Sequence, residues 1–292
     1  MSRTYKATGI NLKSMPMGET DRLVTILSPQ VGVIRVVAPG SRKHHSRLGG
    51  RSGLFVINEL LVVKGRRLDK LTQAETVRSF PGLSQHLGKL TASQYLAELV
   101  LFQALSNQPQ EDLFYLLVEH LERLETATSA TVLASLVQGI FHLLAIAGVA
   151  PEVQHCCITR ELMQPNLLDP TWRIGFSPTL GGIVHLDQLA TVPSRSRPPT
   201  MAEGQVGYDT VDPSGSTKTI QLTALELALL QQLSQPHLRS ASGAPETAPH
   251  WLWYRLERLL RQYAEYHFDR PLRSATLIDT CFGSPVDTSS VH

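Results

Sequence analysis

Residues 21–38 read DRLVTILSPQVGVIRVVA, in which two runs rich in β-branched residues, Leu23–Leu27 and Val31–Ala38, flank the turn residues Pro29–Gly32. β-branched side chains pack well on a pleated sheet, and Pro and Gly end strands, so this pattern predicts two strands and a turn. A third such run spans Leu54–Val63. About five short strands in residues 1–80 suit a small closed barrel of the OB type, with an SH3-like barrel as the alternative.

Beyond residue 80 the apolar period changes from 2 to 3.6, which is typical of helices. We expect five helices in residues 81–150 and 220–281 to form one helical domain. No charged residue occurs between Thr126 and Pro151, and the narrow polar stripe of this segment favours a buried central helix over a membrane span.

Two T-x-x-Q/E patterns predict helix starts with capping boxes. They are Thr91 with Gln94, and Thr223 with Glu226.

An insertion at residues 151–219 interrupts the helical pattern. Its first part contains enough aromatic and apolar residues to be ordered, whereas its second part is rich in Pro, Ser and Gly and is expected to be a flexible loop. Residues 282–292 are expected to form a disordered tail. The overall class is therefore α+β with several domains.

Charge is distributed unevenly along the 292 residues. The net charge of +2 conceals 14 basic and 5 acidic side chains in residues 1–80, a net of +9, and a net of −7 in the remainder. A basic module attached to an acidic body is typical of a nucleic-acid-binding protein.

The densest basic stretch is PGSRKHHSRLGGRSG, residues 39–53, and no acidic residue occurs from Gln30 to Asn58. A basic loop punctuated by glycine can follow a phosphate backbone of any sequence, because cations that neutralise phosphates release counterions. The alternative is a solvated basic surface. The side chains that we predict to contact backbone phosphates are Arg22, Arg35, Arg42, Lys43, Arg47, Lys64, Arg66 and Arg67.

Metal and enzyme chemistry have weaker support. A zinc site would take its two ligand pairs from His155, Cys156, Cys157 and His185. The adjacent cysteines have no second C-x-x-C, and cysteines that serve as small apolar fillers are the simpler interpretation. A zinc or thiol enzyme built on Cys157 and His185 is an alternative, but no phosphate-binding, metalloprotease or nucleophile-elbow motif is present. We expect a protein that is not an enzyme. Three cysteines and an N-terminus without an apolar signal favour a reducing cytosol.

Several stretches together resemble the RecO family of bacterial recombination mediators. They are GETDRLVTILSPQVGVIRVVAPGSRKHHSRL (residues 18–48), LDKLTQAETVRSF (68–80), ASQYLAEL (92–99), FSPTLGG (176–182) and LLRQYAEYHFDRPLRS (259–274). The resemblance implies an N-terminal OB-fold, a helical domain and a zinc-ribbon-like insertion. It also implies binding to single- and double-stranded DNA, annealing of strands coated by single-stranded-DNA-binding protein (SSB), and RecA loading with the partner RecR, in the cytoplasm at the nucleoid.

The insertion departs from the family pattern of two C-x-x-C pairs. The four ligand positions are occupied here by Cys156, Thr159, His185 and Gln188, so the zinc ribbon is degenerate and no cofactor is expected.

Three arginines near the C-terminus and the N-terminal barrel each suggest a further hypothesis. Arg255, Arg258 and Arg261 recur at helical spacing, and family analogy suggests that they border a groove for the acidic SSB tail. The alternative function is an OB-fold interaction adaptor for protein or RNA that does not anneal strands.

Overall fold

Residues 4–191, 219–236, 238 and 248–283 are described in a computed structural model of the chain. The predicted flexible loop, residues 192–218, and residues 284–292 of the predicted tail lie outside these ranges.

Five strands close into a barrel at the N-terminus, in the order β1-β2-β3-β5-β4. Antiparallel ladders join β1 to both β2 and β4, and β3 pairs in parallel with the start of β5. This five-stranded Greek-key arrangement is an OB-fold, so the prediction is confirmed. The strands are β1 (Thr4–Met17), β2 (Asp21–Ser28), β3 (Gly32–Ala38), β4 (Val56–Val63) and β5 (Asp69–Ser79).

Alternating apolar residues fill the barrel interior, as the period of 2 requires. The interior cluster includes Val24, Ile26, Val36, Leu60 and Val62, all 3% exposed or less.

Seven helices follow the barrel in the described residues and share one continuous hydrophobic core. The central helix is the uncharged α4, which packs against α2, α3 and α6 as predicted. No helix in the described ranges has the length and apolar content needed to cross a membrane. The helices are α1 (Pro81–Ser84), α2 (Leu87–Gln103), α3 (Glu111–Thr126), α4 (Val132–Ile146), α5 (Ala224–Gln232), α6 (His250–Phe268) and α7 (Ala275–Phe282).

One of the two predicted capping boxes is present. Thr223 and Glu226 form reciprocal side-chain to backbone bonds at the start of α5. The prediction for Thr91 is wrong, because α2 begins at Leu87 and the Thr91 hydroxyl donates instead to the Leu87 carbonyl inside the helix, at 2.8 Å.

The insertion contains a three-stranded sheet in the order β7-β6-β8. Its strands are β6 (Arg173–Ser177), β7 (Gly182–Val184) and β8 (Ile220–Thr223). Since β8 pairs with β6, residues 220–223 belong to this sheet and only the chain after them returns to the helical domain.

The barrel is fixed to the helical domain through the β2–β3 turn. The Val33 amide donates to the Leu105 carbonyl at 2.9 Å, and the Gln110 amide donates to the Pro29 carbonyl at 2.8 Å. Gly32 has a φ of +71°, and a Cβ at this position would lie 2.1 Å from the Leu105 oxygen. Only glycine permits this close approach.

Candidate nucleic-acid interface

The segment between β3 and β4, residues 39–53, is called the basic loop here. Its N-terminal end is fixed by β2: the Asp21 carboxylate accepts hydrogen bonds from the Gly40 amide and the Thr20 hydroxyl, each 2.8 Å long. The backbone amide of Arg42 donates to the Thr20 carbonyl at 2.9 Å, and the guanidinium of Arg42 donates to the Gly18 carbonyl at 2.8 Å. Arg42 therefore has a defined position, and no carboxylate of the described residues pairs with it.

Asp21 remains charged in this arrangement. The hydrogen bonds from the Gly40 amide and the Thr20 hydroxyl stabilise its carboxylate and lower its pKa, and Lys43 and Lys70 act in the same direction.

Strand pairing brings a second basic segment to this end of the barrel. Val37, near the end of β3, pairs with Lys70 at the start of β5, so the turn that carries Lys64, Arg66 and Arg67 lies beside the origin of the basic loop. Arg22 pairs with Ala38 on the other side of β3 and joins the same end. Arg35 lies farther along β3, opposite Thr25.

The predicted phosphate-contacting side chains share one electrostatic property. Within the described parts of the chain, none of the eight lies within ion-pair distance of a carboxylate, and all but the half-buried Arg22 are exposed. By contrast, Arg78 of β5 pairs with Glu122 of α3. Cations that form no ion pair can bind phosphates without first breaking a salt bridge.

Two depressions of about 810 and 740 Å³ flank the second half of the basic loop. Arg47 and Arg51 line both, and the Arg51 guanidinium donates to the Arg47 carbonyl at 3.2 Å. The larger depression lies over β1, β4 and β5, and its lining includes the cation Lys6 and the carboxylates Glu59 and Glu75. The sequence reasoning did not select Lys6, although its exposed position on β1 follows from the strand alternation.

The described part of the barrel displays no aromatic side chain as a stacking platform. Phe55 and Phe80 are buried, and the Tyr5 hydroxyl donates to Asp69 at 2.8 Å while Lys64 lies over its ring, 5.8 Å from the centroid. The interface is therefore suited to phosphates more than to bases.

The three arginines predicted to bind an acidic peptide all lie on α6, but the chain itself engages two of them. Arg255 pairs with the buried Glu226 at 2.5 Å and donates to the Gln221 carbonyl. Arg261 is held by two carboxylates and is largely buried. Arg258 is exposed and forms no ion pair among the described residues.

The residues at the zinc-ribbon positions do not fit the family's metal site. Burial would raise the pKa of the Cys156 thiol, but the neighbouring polar groups of Thr159 and His185 outweigh burial and lower it. Thr159 is not a zinc ligand, and its hydroxyl donates to the Glu161 carboxylate at 3.3 Å, while the His185 ring lies 3.3 Å from the same carboxylate. The described residues contain no group of three or more Cys, His, Asp or Glu that could hold a metal ion.

The surroundings of Cys157 do not support the thiol-nucleophile alternative. Burial, together with the nearby Glu152 carboxylate, raises the pKa of Cys157, whereas an activated cysteine requires a lowered value.

A closed OB barrel fixed to a helical domain, with a basic loop whose cations form no ion pair among the described residues, defines a class of two-part proteins suited to binding nucleic acid. Comparison with known families identifies the particular family. Residues 1–80 match the model for the recombination protein O N terminal domain, and residues 84–183 match the model for the recombination protein O C terminal domain.

Full-length relatives agree with these matches. The chain is 50% identical to the DNA repair protein RecO of Nostoc sp. PCC 7120, over 99% of this chain and 100% of the relative. It is 53% identical to the DNA repair protein RecO of Acaryochloris marina, over 100% and 99%, and 46% identical to that of Synechococcus elongatus, over 96% of each. The chain belongs to the RecO family.

Proposed function

We propose that this chain is a DNA-binding mediator of recombinational DNA repair that does not catalyse covalent chemistry. It anneals complementary single strands, including strands coated by SSB, and assists RecA loading together with RecR. Family membership and the relatives named DNA repair protein RecO support the role in repair. The observation that carries the DNA-binding part is the set of eight barrel cations that form no ion pair with a carboxylate in the described ranges.

Annealing follows from charge neutralisation. Two single strands repel each other through their phosphates, and Lys and Arg side chains that bind these phosphates release condensed counterions and reduce the repulsion. Base pairing then supplies the specificity, so the protein needs no contacts to base edges. The acidic remainder of the chain, with a net charge of −7, is repelled by DNA and is therefore available to bind protein partners.

A strand-annealing assay tests this function. Complementary oligonucleotides, bare or coated with SSB, are mixed with wild-type protein or with the Arg42→Ala/Lys43→Ala/Arg47→Ala variant, and duplex formation is followed by fluorescence. We expect wild-type protein to accelerate annealing and the triple variant to do so much less. No acceleration by wild-type protein over a broad salt range would exclude annealing.

The absence of displayed aromatics on the described part of the barrel favours a second candidate, an interaction adaptor for protein or structured RNA. The adaptor differs from the mediator in a single outcome of the same assay, because it would bind a partner without accelerating annealing.

We also propose that the acidic SSB tail binds beside α6, with Arg258 as the cation that contacts it. Titration with an acidic, apolar peptide tests this, since Arg258→Glu should weaken peptide binding and the exposed Arg273→Glu should not. Equal affinities for both variants and the wild type would contradict it.

A further inference from the structure

Two buried asparagines lie beneath the C-terminal end of the basic loop. Asn11 of β1 is 1% exposed and Asn58 of β4 is fully buried. The Asn11 amide donates to the carbonyl oxygens of Arg51 and Gly53, both at 2.8 Å, and the Asn58 amide donates to the same Arg51 oxygen at 2.9 Å. The Arg51 carbonyl thus accepts hydrogen bonds from two side chains on different strands.

Irregularities in strand pairing direct these two side chains towards the basic loop. The pairing of β1 with β2 shifts register between Asn11 and Lys13, and the pairing of β4 with β5 shifts between Ile57 and Asn58. Such irregularities redirect individual side chains and are common beside functional sites. Each asparagine adjoins one of them.

A third side chain fixes the orientation of one amide. The Thr76 hydroxyl donates to Asn58 Oδ1 at 3.1 Å, which leaves the NH2 group of Asn58 facing the Arg51 carbonyl. Burial of an asparagine costs free energy unless its polar groups are hydrogen-bonded, and the amide groups of both asparagines are bonded to carbonyls of the basic loop. The asparagines therefore serve the loop rather than the core.

We propose that Asn11 and Asn58 are positioning residues of the DNA interface. They hold the end of the basic loop so that Arg47 and Arg51 stand between the two depressions on the barrel wall, where the phosphates of an unpaired strand bind. A loop held in its binding geometry loses less conformational entropy on association than a free one. This inference rests on the proposed function, and it assigns part of the DNA affinity to two residues that carry no charge.

The experiment measures binding of a fluorescent oligo-dT as a function of salt for Asn11→Ala, Asn58→Ala and the wild type, well below each melting temperature. Ile140→Val is the control, because Ile140 is buried in α4 and its substitution reduces stability without touching the barrel. The slope of log affinity against log salt counts engaged phosphates, at about 0.7 for each contact with a single strand. A loss of stability alone would leave this slope unchanged.

We expect Asn11→Ala to lower the slope by about 1 and to weaken binding roughly tenfold at 0.1 M salt, since losing one to two contacts has that effect. Asn58→Ala should lower the slope and the affinity by a smaller amount, because Asn11 still donates to the Arg51 carbonyl. If Asn11→Ala does not fold, Asn58→Ala alone provides the test. Ile140→Val should bind as the wild type does.

Wild-type slope and affinity in the folded asparagine variants would overturn the positioning role. If the Arg42→Ala/Lys43→Ala/Arg47→Ala variant lost binding in the same series, the proposed function would stand while this inference failed. Failure of the wild type to bind the oligonucleotide would instead remove the proposed function itself.

Discussion

The guanidinium of Arg261 forms two parallel 2.8 Å hydrogen bonds with the carboxylate of Asp279, which tie α6 to α7. The guanidinium also donates hydrogen bonds of 2.6 and 3.0 Å to the carboxylate of the fully buried Glu257. These bonds lower the pKa of Asp279, whereas burial raises that of Glu257 despite the arginine. An arginine that sequence spacing assigned to a partner peptide is thus a structural element of the helical domain.

Replacement of Arg261 should destabilise the protein strongly. Arg261→Ala leaves the Glu257 carboxylate buried without its cation, and breaking a buried ion pair from one side costs about 3–5 kcal/mol. Urea unfolding measures the loss, and Arg258→Ala on the same helix is the control, with an expected change within about 0.5 kcal/mol because its side chain is exposed. Similar losses for both variants would show that the Arg261 network contributes little.

Stability should fall on mild acidification because of a buried histidine pair. His120 Nε2 and His142 Nδ1 lie 3.1 Å apart, and burial lowers the pKa of His120 to about 3 and also lowers that of His142. The unfolded chain therefore binds protons near pH 6.5 that the folded chain does not, and the free energy of unfolding decreases as pH falls from 6.5 towards 3.

The slope contributed by His120 approaches about 1.4 kcal/mol per pH unit as the pH falls well below 6.5, and His142 contributes in the same direction. Urea unfolding between pH 7.5 and 5.5 measures the slope, which His120→Gln should reduce and not abolish, because His142 remains. An unchanged slope in the variant would contradict the assignment.

The junction between barrel and helices depends on Gly32. Gly32→Ala should destabilise the protein by more than Gly18→Ala, although both glycines have a positive φ, +71° and +64°. The Gly18 position is open, so alanine there adds backbone strain of about 1 kcal/mol, whereas at Gly32 the new Cβ also meets the Leu105 carbonyl. Thermal unfolding compares the two, and equal shifts in melting temperature would show that the close approach is not needed.

The barrel could be predicted from the sequence because strand alternation is a local signal. The capping box of Thr223 and Glu226 could be predicted for the same reason, since its two residues are only three positions apart. The same kind of pattern failed at Thr91, since a T-x-x-Q sequence does not distinguish an N-cap from a hydroxyl bonded inside a helix. The pairing of Arg261 with Asp279 and the contacts of Asn11 with the basic loop join residues 18 to 42 positions apart. They depend on helix packing and strand register, which no local pattern reveals.

The salt dependence of single-strand binding tests the central claim most directly. If about five of the barrel cations bind phosphates, the log-log slope for oligo-dT should be roughly −4, and Arg42→Ala/Lys43→Ala/Arg47→Ala should make it shallower by about 2. The control, Arg173→Ala/Arg258→Ala/Arg273→Ala, removes three exposed cations outside the barrel and should leave the slope unchanged. A slope that both triple variants change equally, or that neither changes, would contradict DNA binding by the basic barrel.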